Sequence, residues 1–313
     1  MLFFDYKEVY DKLSFPICIN LMKKVFIDLE NGLNTQIQRT GMGVPNGVLA
    51  YMPCYLGGNH CFGAKLISVY PGNAAEGYPS HQGYVMVFDE QHGTPVAIAD
   101  ACAITEIRTA CASAAATDLL ANADSQILAI LGSGAQARTH LAAMLCIRPI
   151  KEVHIWSYHN EHAEVFADKM SNQYNIPFYV HPTVESAVKN ADIVCSVCRT
   201  KAPIIKSEYI APGTHINAVG TCNPFYREID SRLAAKSRFF VDQIEACKEE
   251  SGDFLIPLKE GLIDESHIIG TIGGILCNRA PARQTESEIT IFDSLGLAVE
   301  DLICADYLYR SNQ

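Results

Sequence analysis

The sequence predicts an α/β protein of two domains: one a parallel sheet with helices between its strands, the other a discontinuous α+β domain. Three observations carry this. From Gln126 the chain alternates apolar strands and helices. QILAILG is followed by a helix over Ala135–Cys146, KEVHIWS by one over Glu161–Asn172, and PFYVH by one over Val184–Lys189. ADIVCSVC, THINAVG and SRFFVD continue the series. That rhythm is the signature of βαβ units. Before Asn122 the pattern differs: Gly47–Met52, Ala64–Tyr70, Gly83–Asp89 and Pro95–Asp100 alternate like strands of an antiparallel sheet, between turn clusters such as PGNAAEGYPS and DEQHGTP. Finally, Ser287–Tyr309 reads as a short strand and a helix (Gly296–Tyr309) that is expected to return to the first domain. The expected division is 1–122 with 293–313 for one domain and 123–292 for the other. Two helices complete the first part: an amphipathic one over Val9–Asn31 and one of small residues over Ile104–Leu120, ITEIRTACASAAATDLL.

Bulk properties narrow the function. A chain of 313 residues is long enough to bury two ordinary cores. Its formal charge of −11 argues against nucleic acid or an anionic membrane as partner, because both require basic patches. The twelve cysteines are scattered through apolar segments such as ICIN, ILCNR and LICAD. They read as buried thiols of a reducing cytosol. The spacings Cys195–Cys198 and Cys54–Cys61 lack a second pair, so no metal site is expected. MLFFDYKEVYDKL has no basic start and carries charges at helical intervals, unlike a signal peptide. No run approaches the ~18 apolar residues of a membrane span. A cytoplasmic protein is expected.

The stretch with the most chemical content is GSGAQA, Gly132–Ala137, between QILAI and a helix. It has the form GxGxxA. The first glycine permits a tight turn, the second lets a pyrophosphate approach the backbone, and the alanine lets the helix sit close to the strand. The helix N-terminus then offers N–H groups and partial positive charge to phosphates. In this context the parallel domain is expected to be of Rossmann type, with Gly132, Gly134, Ala135 and Gln136 on a dinucleotide. A carboxylate about 20 residues further on would accept hydrogen bonds from the ribose of NAD. Here the second strand ends IWSYHN, with no carboxylate before Glu161. Ser157, His159 and Asn160 are donors suited to a 2′-phosphate, so NADP(H) is favoured and NAD(H) remains possible.

TEIRTACASAAATDLL, one helix before the glycine loop, together with GSGAQA and SLGLAVED, resembles the ornithine cyclodeaminase/mu-crystallin family. PSHQGYVMVFD, KEVHIWS, THINAVG, REID and VDQIEACKEESGD agree, so the resemblance runs nearly end to end. It implies a homodimer whose first domain binds substrate and dimerises and whose second binds NAD(P). The implied substrate is a small α-amino or α-imino acid. Carried over residue by residue, Arg39 corresponds to the arginine that grips the substrate carboxylate, although the proline usual before it is absent. Lys65 corresponds to the active-site lysine, and Arg108 and Thr109 to a pair near the cofactor phosphates. Ser80, His81 and Gln82 match a Ser-His-Gln beside the cofactor in mu-crystallin-like members. Ser294 and Leu295 match a pair that lines the nicotinamide pocket.

Physical chemistry agrees with these correspondences. A bidentate guanidinium suits a carboxylate. A lysine in an apolar strand beside that arginine should have its pKa lowered by desolvation and like charge, which lets it exchange a proton near neutrality. Arg108 lies in a small apolar helix and requires an anion, either a bound phosphate or an internal Asp or Glu. His81 is either a cofactor contact or a core histidine.

The informative departure is AVGTCNPFYREID, Ala218–Asp230. Cyclodeaminases of the family carry an aspartate two residues after the glycine, where this chain has Cys222. A thiol is a weak hydrogen-bonding group and mostly neutral, so orienting a free α-amine becomes harder. The nearest histidine in sequence, His215, stands at the other end of the presumed strand, and Cys222 is expected to shape the substrate pocket rather than act as a nucleophile. The reading is therefore an NAD(P)H-dependent reductase of a small α-imino acid, such as pyrroline-2-carboxylate or piperideine-2-carboxylate. Alternatives are an ornithine cyclodeaminase, an amino-acid dehydrogenase, or a non-catalytic NADPH- and ligand-binding protein of crystallin type.

Overall fold

A computed structural model describes Met1–Gln313, the side chains of Ala74 and Ala75 excepted. Along the chain the elements are β1 (Leu2–Phe4), α1 (Tyr6–Lys12), α2 (Phe15–Glu30), β2 (Asn34–Gln36), β3 (Thr40–Val44), β4 (Gly47–Leu56), β5 (Cys61–Val69), β6 (His81–Asp89), β7 (Pro95–Asp100) and α3 (Ala101–Leu120). Next come β8 (Ile127–Leu131), α4 (Ala135–Leu145), β9 (Glu152–Trp156), α5 (Asn160–Tyr174), β10 (Phe178–Val180), α6 (Val184–Val188), β11 (Ile193–Ser196) and β12 (His215–Ala218). The remainder is α7 (Ser231–Lys236), β13 (Arg238–Val241), α8 (Ile244–Glu250), α9 (Gly252–Lys259), β14 (Ile268–Thr271), α10 (Ile272–Leu276), β15 (Thr290–Asp293) and α11 (Ala298–Arg310).

The chain divides into two compact units, Met1–Thr109 with Gly296–Gln313, and Ala110–Leu295. The first division falls inside α3, thirteen residues before the 122 expected from sequence. The helix runs unbroken through that point, with small residues on both sides of it, so no turn or linker marks the change of unit.

In the first unit a seven-stranded sheet has the order β1-β7-β6-β5-β4-β2, with β3 on β4. All its pairs are antiparallel except β1 with β7. Because successive strand residues face opposite sides, β5 turns Cys61, Gly63, Lys65 and Ile67 to one face and Phe62 and Leu66 to the other. The α11 helix packs on the first face, against β4, β5 and β6, and α2 packs on α11. The helix expected over Val9–Asn31 is two helices. Pro16 has no N–H and its ring would clash with the Lys12 carbonyl, so α1 ends at Lys12 and α2 begins at Phe15 behind the Ser14 N-cap.

In the second unit eight parallel strands form the order β10-β9-β8-β11-β12-β15-β13-β14. The parallel sheet of Rossmann type is thus present. β11, β12 and β15 are buried at every residue, as expected where helices cover both faces. The order reverses between β8 and β11, and the glycine loop follows β8. Ligands of such sheets bind beyond the strand C-termini at this reversal.

Candidate active site

In the first unit the chemistry gathers on the covered face of the sheet. Alternation along β5 aims Lys65 inward, where it is 4% exposed. Its Nζ donates to Thr105 Oγ1 at 2.6 Å and to both carboxylate oxygens of Asp301 at 3.1 and 3.2 Å. Arg108, one helical turn after Thr105, donates from Nε to Asp301 at 2.9 Å and from Nη1 to Glu300 at 2.7 Å. Glu300 and Asp301 lie in the first turn of α11, where the helix dipole favours negative charge. Arg39, half-buried in the segment before β3, donates from Nη2 to Gly296 O at 3.1 Å. Gly296 has φ +79°, a left-handed backbone, and an added Cβ would lie 2.7 Å from Arg108 Nη1. Glycine there lets the chain turn into α11 while both arginines lie close to it.

The electrostatics follow from that packing. Burial lowers the Lys65 pKa to about 8, assisted by Arg108 and Arg39 and opposed by Asp301. Burial also works against the Arg108 charge, but Asp301 and Glu300 outweigh it and hold the guanidinium charged. Sequence reasoning placed Lys65 and both arginines but missed Thr105, Gly296, Glu300 and Asp301. The signal available was the AVED that ends the late motif, two carboxylates in an apolar helix start, since buried cations require counter-ions. Arg108 is held by internal carboxylates. Of the two kinds of anion expected, the internal carboxylates Asp301 and Glu300 are in contact with it. His81 is exposed at the start of β6, with its Nδ1 2.9 Å from Ser80 Oγ, so it is not a core histidine. Gln82 donates to Pro79 O at 3.3 Å. Thr109 is buried, and its Oγ1 has no hydrogen-bond partner among the described residues.

In the second unit the glycine loop has the geometry that a dinucleotide needs. Gly132 has φ +131° and donates its N–H to Trp156 O at 2.8 Å. Gly134 is the N-cap of α4, with no capping side chain, and an added Cβ there would meet nothing within 4 Å. The backbone at Gly134 is therefore open to a phosphate, and α4 begins at Ala135 and Gln136. Ser133 Oγ donates to Ser157 Oγ at 3.1 Å, which ties the loop to the end of β9. His159 is the N-cap of α5. The Asn160 amide, expected as a donor to a 2′-phosphate, donates to Glu164 at 2.6 Å, one turn along the same helix. A cleft of about 530 Å³ runs beside Ser133–Ala135 between α4 and α5.

Also in the second unit, Cys222 follows β12. It is exposed, and its Sγ donates to Leu295 O at 3.3 Å. Leu295 N donates to Asp242 Oδ2 at 2.8 Å, and the buried Ser294 Oγ has no hydrogen-bond partner among the described residues. A buried hydroxyl of this kind suits a bound polar group. His215 lies at the opposite end of β12, bonded to Thr290, and burial first and then Arg283 lower its pKa to about 3. It is in no position to activate Cys222. Among the described residues no group of His, Cys, Asp and Glu could hold a metal ion.

An inward lysine between arginines and a carboxylate pair, in a chain that also builds a GxGxxA turn into a parallel sheet, defines a nicotinamide-dependent enzyme of carboxylate-bearing substrates. The chain belongs to the ornithine cyclodeaminase/mu-crystallin family, whose model matches residues 2–313. It is 37% identical to ketimine reductase mu-crystallin of Mus musculus over 265 residues, 85% of this chain and 80% of that protein. It is 36% identical to a Delta(1)-pyrroline-2-carboxylate reductase of Bacillus cereus over 260 residues, 83% of this chain and 80% of that protein. Among solved structures, Thermococcus litoralis Delta(1)-pyrroline-2-carboxylate reductase in complex with NADH and L-proline matches with a TM-score of 0.96. It is 36% identical, and the match covers 99% of this chain and 97% of that one.

Proposed function

We propose that this chain reduces a small α-imino acid, of the pyrroline-2-carboxylate or piperideine-2-carboxylate type, to the amino acid with a reduced nicotinamide dinucleotide. The observation that carries the reading is the charge of the first unit's cluster. Three cations, Arg39, Lys65 and Arg108, gather there around Gly296, Glu300 and Asp301, and a gathering of cations of this kind suits a substrate carboxylate. A bound reduced nicotinamide supplies the hydride. Arg39, the least buried of the three cations, takes the carboxylate in a bidentate grip. Lys65 holds a proton at Nζ that the imine nitrogen acquires as it becomes an amine, and Asp301 and Thr105 fix its direction. Cys222, Ser294 and Leu295 contact substrate and nicotinamide, while Ser80, His81, Gln82 and Thr109 contact the cofactor. Arg108 acts on the site through Asp301. A thiol at position 222, lacking the charge to hold a free α-amine, suits an imine better than a cyclodeaminase substrate.

NADPH is the favoured form of the cofactor. Trp156 is followed by Ser157, Tyr158 and His159, so no carboxylate at the end of β9 repels a 2′-phosphate. All twelve cysteines are thiols, which suits the reducing cytosol.

The test is oxidation of NADPH and of NADH by both imines, with ornithine and oxidised cofactor as a control. Imine turnover with silence on ornithine supports the reading, and proline formed from ornithine alone overturns it. The pH dependence is a second check. With the Lys65 ammonium carrying the needed proton, kcat/KM falls about tenfold for each pH unit above about 8. A rate that rises through that range excludes Lys65 as the proton donor.

A homodimer through the open face of the first unit's sheet completes the proposal. Tyr51, Leu66 and Tyr84 pair across β4, β5 and β6 and are 48%, 48% and 49% exposed. Phe62 and Phe88 stack beside them with centroids 5.2 Å apart. A continuous apolar row of this kind on a sheet face requires a cover, and a second copy supplies a matching one. Leu66→Asp, which places a charge in the row, is expected to convert the dimer to monomer in light scattering. A variant that stays dimeric places the interface elsewhere.

A further inference from the structure

Two of the stretches that mark the sequence, the REID of Arg227–Asp230 and the EESGD of Glu249–Asp253, have no place in the chemistry above. They meet in the second unit. Ser251 ends α8 and caps α9: its Oγ accepts from Phe254 N at 3.1 Å and donates to Asp293, the last residue of β15. Gly252, next along, has no room for a side chain. An added Cβ would lie 1.9 Å from Tyr226 O and 2.8 Å from Asn223 O, so the loop that carries Cys222 rests directly on it. Asp253, 1% exposed, accepts the backbone N–H groups of Glu228 and Ile229 on Oδ1 at 2.9 Å each. Glu228, itself fully buried, accepts from Thr221 N at 3.1 Å and from Ser196 Oγ at the end of β11.

The loop 221–228 is thereby closed on buried carboxyl groups at both ends and laid on a glycine in the middle. The same three consecutive residues reach Asp293, beside which Ser294 and Leu295 stand. Cys222 bridges the two segments through its bond to Leu295 O. All of this lies just beyond the C-terminal ends of β11, β12, β13 and β15, the edge at which such sheets bind their ligands.

We infer that Ser251, Gly252 and Asp253 form a positioning clamp that sets the spacing between the Cys222 loop and the Ser294–Leu295 pair. The inference rests on the substrate and nicotinamide contacts assigned to those residues in the proposed function. Asp253 is a positioning residue: it acts through the backbone of Glu228 and Ile229 and through no reacting atom.

The clamp is also sensitive to protons. Burial raises the Asp253 pKa to about 7, against the N–H groups of Ile229 and Glu228 and the charge of Arg227. Burial, and after it the Asp253 charge, pushes Glu228 and Asp293 well above the usual carboxylate range, and Asp242 adds to the effect at Asp293. The thiols of Cys198, near Glu228, and Cys247, near Asp293, Asp242 and Asp253, are likewise pushed up, mainly by burial. Of the three carboxyls Asp253 ionises first, and its two N–H bonds are strongest in that form. Above about pH 7 the clamp is tight, and below it slackens. A carboxyl raised in the folded state binds its proton more strongly there than when unfolded. Its contribution to stability therefore declines as pH rises from about 4 to about 7 and is constant beyond. The clamp tightens over the range in which the fold loses some stability.

The experiment compares Gly252→Ala and Asp253→Asn with wild type in the full chain. It reads the alkylation rate of Cys222 by peptide mass spectrometry as a ratio to exposed Cys146, together with kcat/KM for pyrroline-2-carboxylate. G252A, whose added methyl pushes the loop away, is expected to raise the Cys222 to Cys146 ratio about fivefold and to lower kcat/KM about tenfold. In wild type the ratio rises severalfold from about pH 8 to about pH 6. In D253N, whose amide oxygen still accepts both N–H groups but does not titrate, the ratio is flat. A ratio unchanged in G252A, or the same pH step in D253N, overturns the clamp. Should G252A not fold, D253N alone decides. Should wild type reduce neither imine, the proposed function falls, and the clamp is judged on the alkylation ratios.

Discussion

Lys65→Met is expected to lower kcat/KM for imine reduction about a hundredfold to a thousandfold, while cofactor binding by the second unit stays within about twofold. The physical case is the position of Nζ. It is buried, 2.6 Å from Thr105 and 3.1 Å from Asp301, so methionine keeps the stem and removes only charge and proton. Asp301 retains Arg108 as a partner, so the loss is read mainly in rate. Fluorescence of bound NADPH and steady-state kinetics check the two halves separately. Unchanged turnover in K65M removes the lysine from the chemistry and leaves positioning on Arg39 as the source of rate.

Asp301→Ala has the opposite profile, a stability effect before a kinetic one. Asp301 is 0% exposed and serves two cations, which the substitution leaves with Glu300 as the remaining carboxylate of the set. Removing one partner of a buried ion pair costs about 3–5 kcal/mol, and two cations are exposed to that loss here. Calorimetry should show the first unit melting well below its wild-type temperature and separately from the second. D301N, which keeps the shape without the charge, should fall between them. Wild-type stability for D301A would mean that the sheet relaxes enough for water to reach Lys65 and Arg108.

How far these features were legible before the structure depends on the range of the interaction involved. Lys65 was legible through the family resemblance, and alternation along β5 then sets which face of the sheet it takes. The glycine loop was legible from local pattern, since strand, turn and helix lie within twenty residues. The carboxylates that hold Lys65 and Arg108 were not, because Asp301 stands 236 and 193 residues away and nothing in a local pattern couples such positions. The Val9–Asn31 helix shows a different failure. Its apolar spacing survives the break at Ser14, and the proline carried the only signal. Asn160 was read as a ligand donor from its residue type alone, while its partner Glu164 lies one turn away on the helix it begins. The first domain boundary was hidden because α3 runs unbroken across Thr109, with small residues on both sides of it.

The first unit is assembled from both ends of the chain, with the second inserted between Thr109 and Gly296. During synthesis this fixes an order of events. Lys65 and Arg108 leave the ribosome long before Glu300 and Asp301 exist, and the inner face of the seven-stranded sheet has no α11 to cover it. For that interval the nascent first unit carries buried-type cations without counter-ions and an apolar sheet without its helix, a species prone to hold chaperones or to aggregate. The second unit, complete at Leu295, has all of its strands first. The last eighteen residues, Gly296–Gln313, therefore act as the closing step for the segment made at the start. A nascent chain stalled before them should present a folded nucleotide-binding half joined to an open sheet.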